Sequence, residues 1–417
     1  MLRPLIPISP RRALLFCVLL GLFELLTYVC SDVVMPGMLG VTAELRADAR
    51  YVPMTLSAYL LGGVSLQWLL GPLSDRFGRR PLLLLGSLGF ALACLATPWI
   101  HDIKLFIALR FIQGIGLGFV VVVSYPMLQE MFRESDALRM MALLANIALL
   151  SPLLGPLTGG VLLSVLSWRS LFVVIAAAAA LVWLGLVRWM PETLGVTRED
   201  GSRVEARPLD AGSIARAYLD LLRNRKFMAG CIALGMTGLP LISWIALSPV
   251  LLMHNLGISA IGYGLWQLPV FAGLIGGNLL LNRFAACFDL PTLVRRALCP
   301  MVGGLMFALL ATQVVAKPWA LVLGMSIYAL GMGVCNASLY RITLFSSESG
   351  KGAVSAMLGM IMVTIFGLGS SALAALGGGA SLGHFTAALM VPSLLAVWPL
   401  WRLLAPPDAT VPIPQEA

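Results

Sequence analysis

Long apolar runs recur along the whole chain, and short polar segments separate them. Each run is long enough to cross the roughly 30 Å hydrocarbon core of a bilayer as a helix. The pattern predicts twelve transmembrane helices at residues 13–36, 52–72, 81–100, 105–128, 139–163, 169–190, 227–252, 261–281, 296–316, 319–342, 353–376 and 383–404. The predicted fold class is therefore all-α integral membrane.

The composition favours a multi-pass membrane protein over a soluble domain with one anchor. Of the 417 residues, 59% are hydrophobic and only 11% are charged, whereas soluble domains carry about 25% charged residues. The net charge is +9, but the basic residues are concentrated in alternate loops. This positive-inside pattern places both termini and the long central loop in the cytoplasm. It accounts for the charge without a nucleic-acid partner.

One long polar stretch, residues 191–226, divides the predicted helices into two sets of six. Residues 1–190 and 227–404 are expected to form two six-helix bundles around a central cavity, which is a known transporter plan. We interpret 191–226 as a cytoplasmic linker that contains a short amphipathic surface helix near 210–225. The Pro-rich residues 405–417 are predicted to be a disordered cytoplasmic tail.

The first predicted helix carries two acidic side chains, Glu24 and Asp32, within an apolar run. A charge at the centre of a membrane helix costs about 2.5–3.5 kcal/mol, so such residues indicate function. Positions 24, 28 and 32 share one helix face, which puts Tyr28 beside both acids on a predicted water-accessible cavity. The alternative for Asp32 is that it snorkels to the membrane interface.

One basic residue, Arg110, lies well inside the fourth predicted helix. A buried guanidinium without a partner is implausible, so Arg110 is expected to face the acids of the first helix or polar atoms such as those of Gln113. A carboxylate held between a buried environment and a positive charge can load and release a proton as a cavity hydrates. The alternative is that Arg110 is a structural tie between helices.

The segment GPLSDRFGRRP, from Gly71 to Pro81, has the pattern of a conformational latch. Gly71 is expected to end the second helix, and Gly78 permits a tight turn. Asp75 can pair with an arginine or with a neighbouring helix N-terminus, and that pairing can break when two bundles rock. The alternative is a basic loop that only sets orientation. The residues assigned to the latch are Gly71, Asp75, Arg76, Gly78, Arg79, Arg80 and Glu130.

Two further sets of residues suggest how the bundles move and what they bind. Prolines and glycines in the fifth helix permit bending and close packing, and the predicted hinge consists of Pro152, Gly155, Pro156 and Gly159. Away from their ends, the predicted helices of the second half contain no charged residue, which suits an apolar wall for broad recognition. That wall is assigned to Leu241, Trp244, Ile245 and Phe366, for which ordinary packing is the alternative.

Several chemistries have no support in the sequence. There is no GxxxxGK[ST] phosphate loop, so ATP is not the expected energy source. The seven cysteines and three histidines show no metal-ligand spacing. No nucleophile–base pair indicates an enzyme. The residues therefore predict a protein with no metal and no cofactor.

Four motifs resemble the major facilitator superfamily, and in particular its drug:proton antiporter branch. They are GPLSDRFGRR between the second and third helices, RFIQG at 110–114, SPLLGPLTGG at 151–160 and PET at 191–193. Within that branch, the two acids of the first helix, the run at 58–81 and LPLISWIALSP at 239–249 resemble the MdfA group of multidrug:proton antiporters. The resemblance covers essentially the whole chain.

The resemblance implies a multidrug:proton antiporter of the bacterial inner membrane, expected as a monomer, that exports lipophilic cationic or neutral molecules by alternating access. It implies proton-coupling roles for Glu24, Asp32 and Arg110. The substrate-binding residues expected from the sequence and the resemblance together are Tyr28, Glu24, Asp32, Gln113, Asn146, Leu149, Leu241, Trp244, Ile245 and Phe366. The alternatives are a proton-coupled nutrient symporter on the same fold and a non-transporting membrane sensor.

Overall fold

The computed structural model describes residues 4–199, 201–206, 210–284, 287–315, 317–347 and 351–404, and the predicted disordered tail lies outside them. Nearly all of the described chain is helical, and three isolated bridges are its only extended pairings. The α-helices are α1 (Pro10–Asp32), α2 (Met38–Glu44), α3 (Tyr51–Ser65), α4 (Gln67–Phe77), α5 (Arg79–Ala96), α6 (Ile103–Phe119), α7 (Tyr125–Met131), α8 (Glu134–Leu163), α9 (Trp168–Trp189), α10 (Ala211–Arg223), α11 (Arg225–Ser248), α12 (Ala260–Phe284), α13 (Leu290–Val314), α14 (Pro318–Leu344), α15 (Lys351–Leu373) and α16 (Leu382–Leu404).

The described helices account for the predicted membrane spans. Eleven helical stretches are long and apolar enough to cross a membrane, and the bent pair within α8 makes a twelfth. Some spans join two elements: α6 continues into α7 through a π-helical turn at Val120–Ser124, and α11 continues into another at Pro249–Asn255. Such breaks stay helical because backbone groups in a bilayer core have no water to bond.

The predicted end of the second span at Gly71 is wrong. Helix α4 continues through Gly71 and Pro72 to Phe77, and Gly78 ends it with φ = 102°. A glycine inside a membrane helix is tolerated because leaving the helix would strand backbone hydrogen-bonding groups in lipid. The second span is broken earlier instead, at Leu66, between α3 and α4.

Helix α8 bends by 42° between Arg139–Ala148 and Leu150–Leu163. Pro152 lies four residues after Ala148, and a proline ring clashes with the carbonyl group four residues before it. The bend therefore lies where this proline disrupts the helical hydrogen bonds. The predicted hinge therefore lies next to an observed bend of the helix.

We call the end of the molecule that holds Arg79, Arg80 and Glu192 the arginine-rich end, and the end that holds Glu44 and Arg169 the far end. At the arginine-rich end, the Glu192 carboxylate accepts hydrogen bonds from the backbone N–H groups of Arg79 and Arg80, both at 3.0 Å. At the far end, the Arg169 Nε atom lies 2.9 Å from a Glu44 carboxylate oxygen. The predicted surface helix of the linker is observed as α10, which follows its N-cap residue Asp210 near the arginine-rich end.

Buried apolar residues form two clusters, one drawn mainly from residues 6–190 and the other from residues 221–400. Close packing joins the two sets of helices toward the far end. The Ser57 and Ser370 hydroxyl oxygens are 3.1 Å apart between α3 and α15. A Cβ atom added to Gly160 of α8 would lie 2.5 Å from the Ala260 carbonyl oxygen at the start of α12. Small residues therefore let the backbones of the two sets touch there.

A glycine contact between α3 and α6 gives a stability prediction. A Cβ atom at Gly62 would lie 1.9 Å from the Phe111 carbonyl oxygen, whereas one at Gly89 of α5 would meet nothing within 4 Å. Gly62→Ala must push the two helices apart, and we expect it to cost about 1–3 kcal/mol of stability. The thermal midpoint in detergent should fall for Gly62→Ala and not for the control Gly89→Ala. Equal midpoints would contradict this packing.

Candidate functional site

The two acidic side chains of α1 are both buried, Glu24 fully and Asp32 to 7% exposure. Tyr28 lies between them along the chain and is half-buried. Of the residues that the structure describes, four charged side chains are buried, namely Glu24, Asp32, Arg79 and Arg110. All four belong to the first half of the chain, so the buried charge of the molecule is asymmetric.

Glu24 contacts the fourth span just after its π-helical turn. The Tyr125 hydroxyl group donates a hydrogen bond of 3.4 Å to Glu24 Oε1. The second carboxylate oxygen, Oε2, is buried and has no hydrogen-bond partner. Tyr125 begins α7 directly after the π-helical turn at Val120–Ser124, and π-turns occur frequently at functional sites. Glu24 therefore keeps one oxygen available to a proton or a ligand.

Asp32 is held against α8. The Ser151 hydroxyl group donates to Asp32 Oδ2 at 2.7 Å. Gly155 makes this approach possible, because a Cβ atom there would lie 2.7 Å from the Asp32 Cβ atom. The predicted hinge residue Gly155 thus touches the predicted proton-coupling residue Asp32. A movement of α8 at its bend would change the surroundings of this carboxylate.

Arg110 is fully buried on α6 and bonds to polar atoms rather than to an acid. Its Nη1 atom donates to the Cys30 carbonyl oxygen at 2.9 Å and to Gln113 Oε1 at 3.1 Å. The guanidinium also lies over the Tyr59 ring, 4.7 Å from its centroid. Within the described residues, no carboxylate oxygen lies within 4.0 Å of Arg110. Of the two partners expected from the sequence, the polar atoms of Gln113 are the ones in direct contact.

Two donor atoms of Arg110, Nε and Nη2, are buried without a partner. An unpaired buried donor costs about 1–3 kcal/mol, and more when it is charged. The Cys30 thiol lies 3.4 Å from Nη1 and 4.0 Å from the Cys94 thiol. The Nη1 atom of Arg110 is therefore hydrogen-bonded, whereas Nε and Nη2 have no partner. This arrangement suits a group whose partner changes between conformational states.

An apolar cavity of about 310 Å³ lies between α1, α7 and α8, about one helical turn from Glu24, and neither acid lines it. Its lining includes Gly21, Leu128 and Ile147, which lie about one helical turn from Glu24, Tyr125 and Ser151 respectively. Cavities of roughly this size hold small ligands. Of the residues assigned to substrate binding on α8, Asn146 is exposed and the Leu149 side chain lies outside the described part of the chain.

The predicted apolar wall of the second half is divided between two environments. Ile245 is partly buried and packs against both apolar clusters, and Phe366 packs on Gly238 of α11. Trp244 is instead fully buried: its Nε1 atom donates to Gln267 Oε1 at 2.6 Å, and its ring lies 6.3 Å from that of Phe385. The buried Leu241 belongs to the same second-half cluster. Trp244 and Leu241 are thus packed within their own set of helices.

Three residues near the acids did not emerge from the sequence. Tyr125 and Ser151 bond the two carboxylates, and Tyr263 of α12 is a fully buried tyrosine whose hydroxyl group has no partner. A signal for Tyr125 exists, since a polar Ser-Tyr pair interrupts the valine run of the fourth span. Tyr263 has no comparable signal, because single tyrosines are common near the ends of membrane helices.

Three of the latch residues, Asp75, Arg79 and Glu130, form an ion cluster around the buried Arg79 at the arginine-rich end. The Arg79 Nη2 atom lies 2.6 Å from Asp75 Oδ1 and 2.8 Å from Glu130 Oε1. The Arg79 Nη1 atom also donates to the Ser74 hydroxyl group. Glu130, which the sequence assigned to the latch, also accepts a hydrogen bond from the Thr193 hydroxyl group at 2.6 Å. Arg79 thus joins α4, α5 and α7.

Asp75 does not cap the neighbouring helix; Glu192 does. Both Glu192 carboxylate oxygens accept backbone N–H groups at the start of α5, where an anion is favoured by the helix dipole. A Cβ atom at Gly78 would lie 2.5 Å from Glu192 Oε2, so Gly78 serves both the positive φ and this close approach. Arg80 donates to the Val187 carbonyl oxygen at 2.7 Å, and Arg76 is exposed.

These features together define a class: a multi-pass helical membrane protein with buried carboxylates and a buried arginine in one half. Residues 20–374 match the Major Facilitator Superfamily, and the chain belongs to this family. The fold agrees, since the D-xylose–proton symporter has a TM-score of 0.71 at 16% identity and covers 94% of this chain and 98% of its own. A bacterial homologue of the lysosomal transporter Spinster, in an inward-facing conformation, has a TM-score of 0.64 at 14% identity, covering 95% of each chain.

Closer relatives are multidrug transporters. The chain is 46% identical over 360 residues to the multidrug transporter MdfA of Yersinia pestis bv. Antiqua (strain Angola), covering 86% of each protein. It is 45% identical to the multidrug transporter MdfA of Edwardsiella ictaluri (strain 93-146) over the same length and coverage. The match to the Shigella boydii serotype 4 (strain Sb227) protein of the same name is 44% with equal coverage.

Proposed function

We propose that this protein is a multidrug:proton antiporter that exports lipophilic cationic or neutral molecules. The observation that carries the proposal is the buried pair Glu24 and Asp32 in α1, with an apolar cavity of about 310 Å³ one helical turn from Glu24. Buried acids in a membrane helix are costly and serve ion or substrate handling. The names of relatives 44–46% identical over most of the chain support drugs as the cargo.

Proton and drug binding alternate at this site. A proton on Glu24 or Asp32 removes the charge that would attract a cationic drug, so the two ligands compete. Arg110 acts on the same balance through its unpartnered donor atoms. The two bundles, residues 1–190 and 227–404, rock about the bend of α8 while the linker at 191–226 tethers them. No cofactor takes part, and the energy comes from the proton gradient.

The protein acts as a monomer in the bacterial inner membrane, with both termini in the cytoplasm. The distribution of arginine and lysine residues among alternate loops supports this orientation. The arginine-rich end is then cytoplasmic, and the close contacts of Ser57 and Gly160 close the opposite, periplasmic side. This arrangement fits a state that takes up drugs from the cytoplasm or inner leaflet.

The proposal is tested by a drug panel. Expression in a bacterium that lacks its own efflux pumps should raise resistance to several chemically unrelated lipophilic drugs. Inverted membrane vesicles that carry the protein should release protons from their lumen when such a drug is added. Proton movement with a sugar or another nutrient but with no drug would favour the symporter, and no movement with either would overturn transport.

The latch gives a kinetic prediction. Asp75→Asn removes one of the two carboxylates that hold Arg79. It should lower the maximal transport rate while the apparent drug affinity stays near that of the wild type, because Asp75 bonds Arg79 and neither acid of α1. Asp220→Asn is the matched control, since Asp220 is an exposed acid on α10 outside the latch. Initial rates over a range of drug concentrations separate the two quantities. A loss confined to affinity would argue against a latch.

The apolar cavity gives a steric prediction. A Cβ atom at Gly21 has only ordinary contacts, 3.8 Å from Ile147 and Leu144, so Gly21→Leu should extend into the cavity without displacing a helix. We expect weaker binding of drugs, with bulky ones affected most, as measured by equilibrium binding of a labelled drug. Gly89→Leu, on open space in α5, is the control. Unchanged affinities for the whole panel would place the drug elsewhere.

A further inference from the structure

A second cavity, of about 450 Å³, lies between α13 and α16, far along the chain from the acids. It opens sideways from the bundle, because Trp401 and Val302 on its rim are 70% and 50% exposed. Thr237 of α11 and Tyr328 of α14 form its floor. Since these helices span the membrane, the medium that faces this groove is lipid.

The polar groups of the floor are already satisfied. The Tyr328 hydroxyl group donates to the Thr237 carbonyl oxygen, and the Thr237 hydroxyl group donates to the Ala233 carbonyl oxygen at 2.7 Å. Ser393 on the groove wall donates to the Leu389 carbonyl oxygen at 3.1 Å. The floor therefore offers a polar ligand no free hydrogen-bond donor, and an apolar chain can occupy it without leaving a donor unpaired.

The length of the groove matches one leaflet. Its lining on α16 runs from Ser393 to Leu404, which at 1.5 Å per residue is about 16 Å. Half of the bilayer core is about 15 Å. An acyl chain that enters at the Leu404 end would reach the middle of the membrane at Ser393.

One charged residue, Arg295, lies at the end of the groove where the interface is expected. Its Nη2 atom donates to the Leu404 carbonyl oxygen at 2.8 Å, which fixes the guanidinium at the rim. Asp289, nearly two turns earlier, is a competing charge, and a hydrogen bond from Thr292 and, more weakly, the charge of Arg295 lower the pKa of Asp289. The other guanidinium donors of Arg295 can pair with a phosphate group, because arginine binds phosphate through charge-assisted hydrogen bonds.

We propose that this groove binds one anionic glycerophospholipid, with an acyl chain on Thr237 and Tyr328 and its phosphate group on Arg295. The chain would rest against α11 a few residues before Pro240, the proline inside that helix. The bound lipid would thus support the helix that lies between the two apolar clusters at Ile245. This inference does not depend on drug transport.

The first test titrates the intact protein in detergent with phosphatidylglycerol and counts bound lipids by native mass spectrometry. Arg295→Gln should weaken the first bound lipid about tenfold, as expected for loss of a charge-assisted contact. Asp289→Asn should strengthen it, and Arg295→Lys should restore part of the loss. Arg283→Gln at the end of α12, which does not line the groove, should leave binding unchanged. Equal affinities for Arg295→Gln and wild type would overturn the phosphate contact.

The second test locates the acyl chain. Phosphatidylglycerol with brominated chains should quench the fluorescence contributed by Trp401, obtained as the difference between wild type and Trp401→Phe. Ala396→Phe, which fills the groove, should abolish that component, and Val302→Phe should reduce it at the exposed rim. Quenching that survives both substitutions would overturn the groove as the binding place. Displacement of the lipid by a transported drug would show a drug site instead, which also counts against the proposal.

Discussion

Drug-induced proton release from inverted vesicles should be abolished in the double variant Glu24→Gln with Asp32→Asn. Both substitutions keep the size of the side chain and an oxygen that can accept a hydrogen bond, so the contacts with Tyr125 and Ser151 can persist. What they remove is the capacity to gain and lose a proton. Because no other carboxylate among the described residues is buried, no substitute carrier is at hand.

Glu44→Gln is the matched control for this double variant. Glu44 lies at the far end, half-exposed, in an ion pair with Arg169, and its loss should leave the proton signal intact. The two single variants then divide the roles. A single variant that still binds drug but releases no proton identifies the proton carrier, and one that releases protons only with neutral drugs identifies the cation-binding group. A normal signal in the double variant would remove both acids from the coupling mechanism.

The proton site was predictable in part because a helix has a fixed period. The spacing of Glu24, Tyr28 and Asp32 is enough to place them on one face of α1. Their partners were not predictable, since Tyr125 and Ser151 lie about 100 and 120 residues further along. Which residues of α7 and α8 reach α1 depends on the packing of three helices, and Gly155 allows that packing by having no side chain.

The latch shows the same division between local and distant information. Asp75 and Arg79 are four residues apart in the same motif, so their ion pair could be predicted from the sequence. The cap of α5 was not, because Glu192 comes more than 110 residues later and appeared in the sequence only as part of a motif that closes a span. A helix N-terminus accepts any nearby anion, so the sequence alone does not decide between Asp75 and Glu192.

For the predicted apolar wall, hydrophobicity did not indicate which side chains face a cavity and which pack inside the bundle. Helix α11 is apolar on nearly all faces and is buried on most of them. Periodicity then no longer tells which face meets a cavity and which meets the bundle. Trp244 and Ile245 are adjacent in the chain, yet Trp244 packs inside the second cluster and Ile245 lies between both clusters. By contrast, the bend of α8 was predictable because Pro152 acts locally.

The largest effect of a single substitution is expected at Arg110. Arg110→Gln removes the buried positive charge and should stop drug-induced proton release. Arg110→Lys should fail to restore it, with a rate at least about tenfold below wild type, because an ammonium group is a point donor that lacks the planar fork of a guanidinium. In the wild type, that plane lies over Tyr59 while Nη1 bonds both the Cys30 carbonyl group and Gln113.

Arg169→Lys is the control for this comparison. Arg169 also lies over an aromatic ring, that of Trp168 at 4.3 Å, and also bonds a backbone carbonyl oxygen, that of Ile100 at 3.1 Å. It differs in lying at the far end beside Glu44, so its replacement by lysine should cost some stability and little transport. Thermal midpoints of all variants, measured beside the vesicle assay, separate misfolding from uncoupling. If Arg110→Lys transports at the wild-type rate with a normal midpoint, only the charge of Arg110 matters, and its contacts with Tyr59 and Gln113 play no part in coupling.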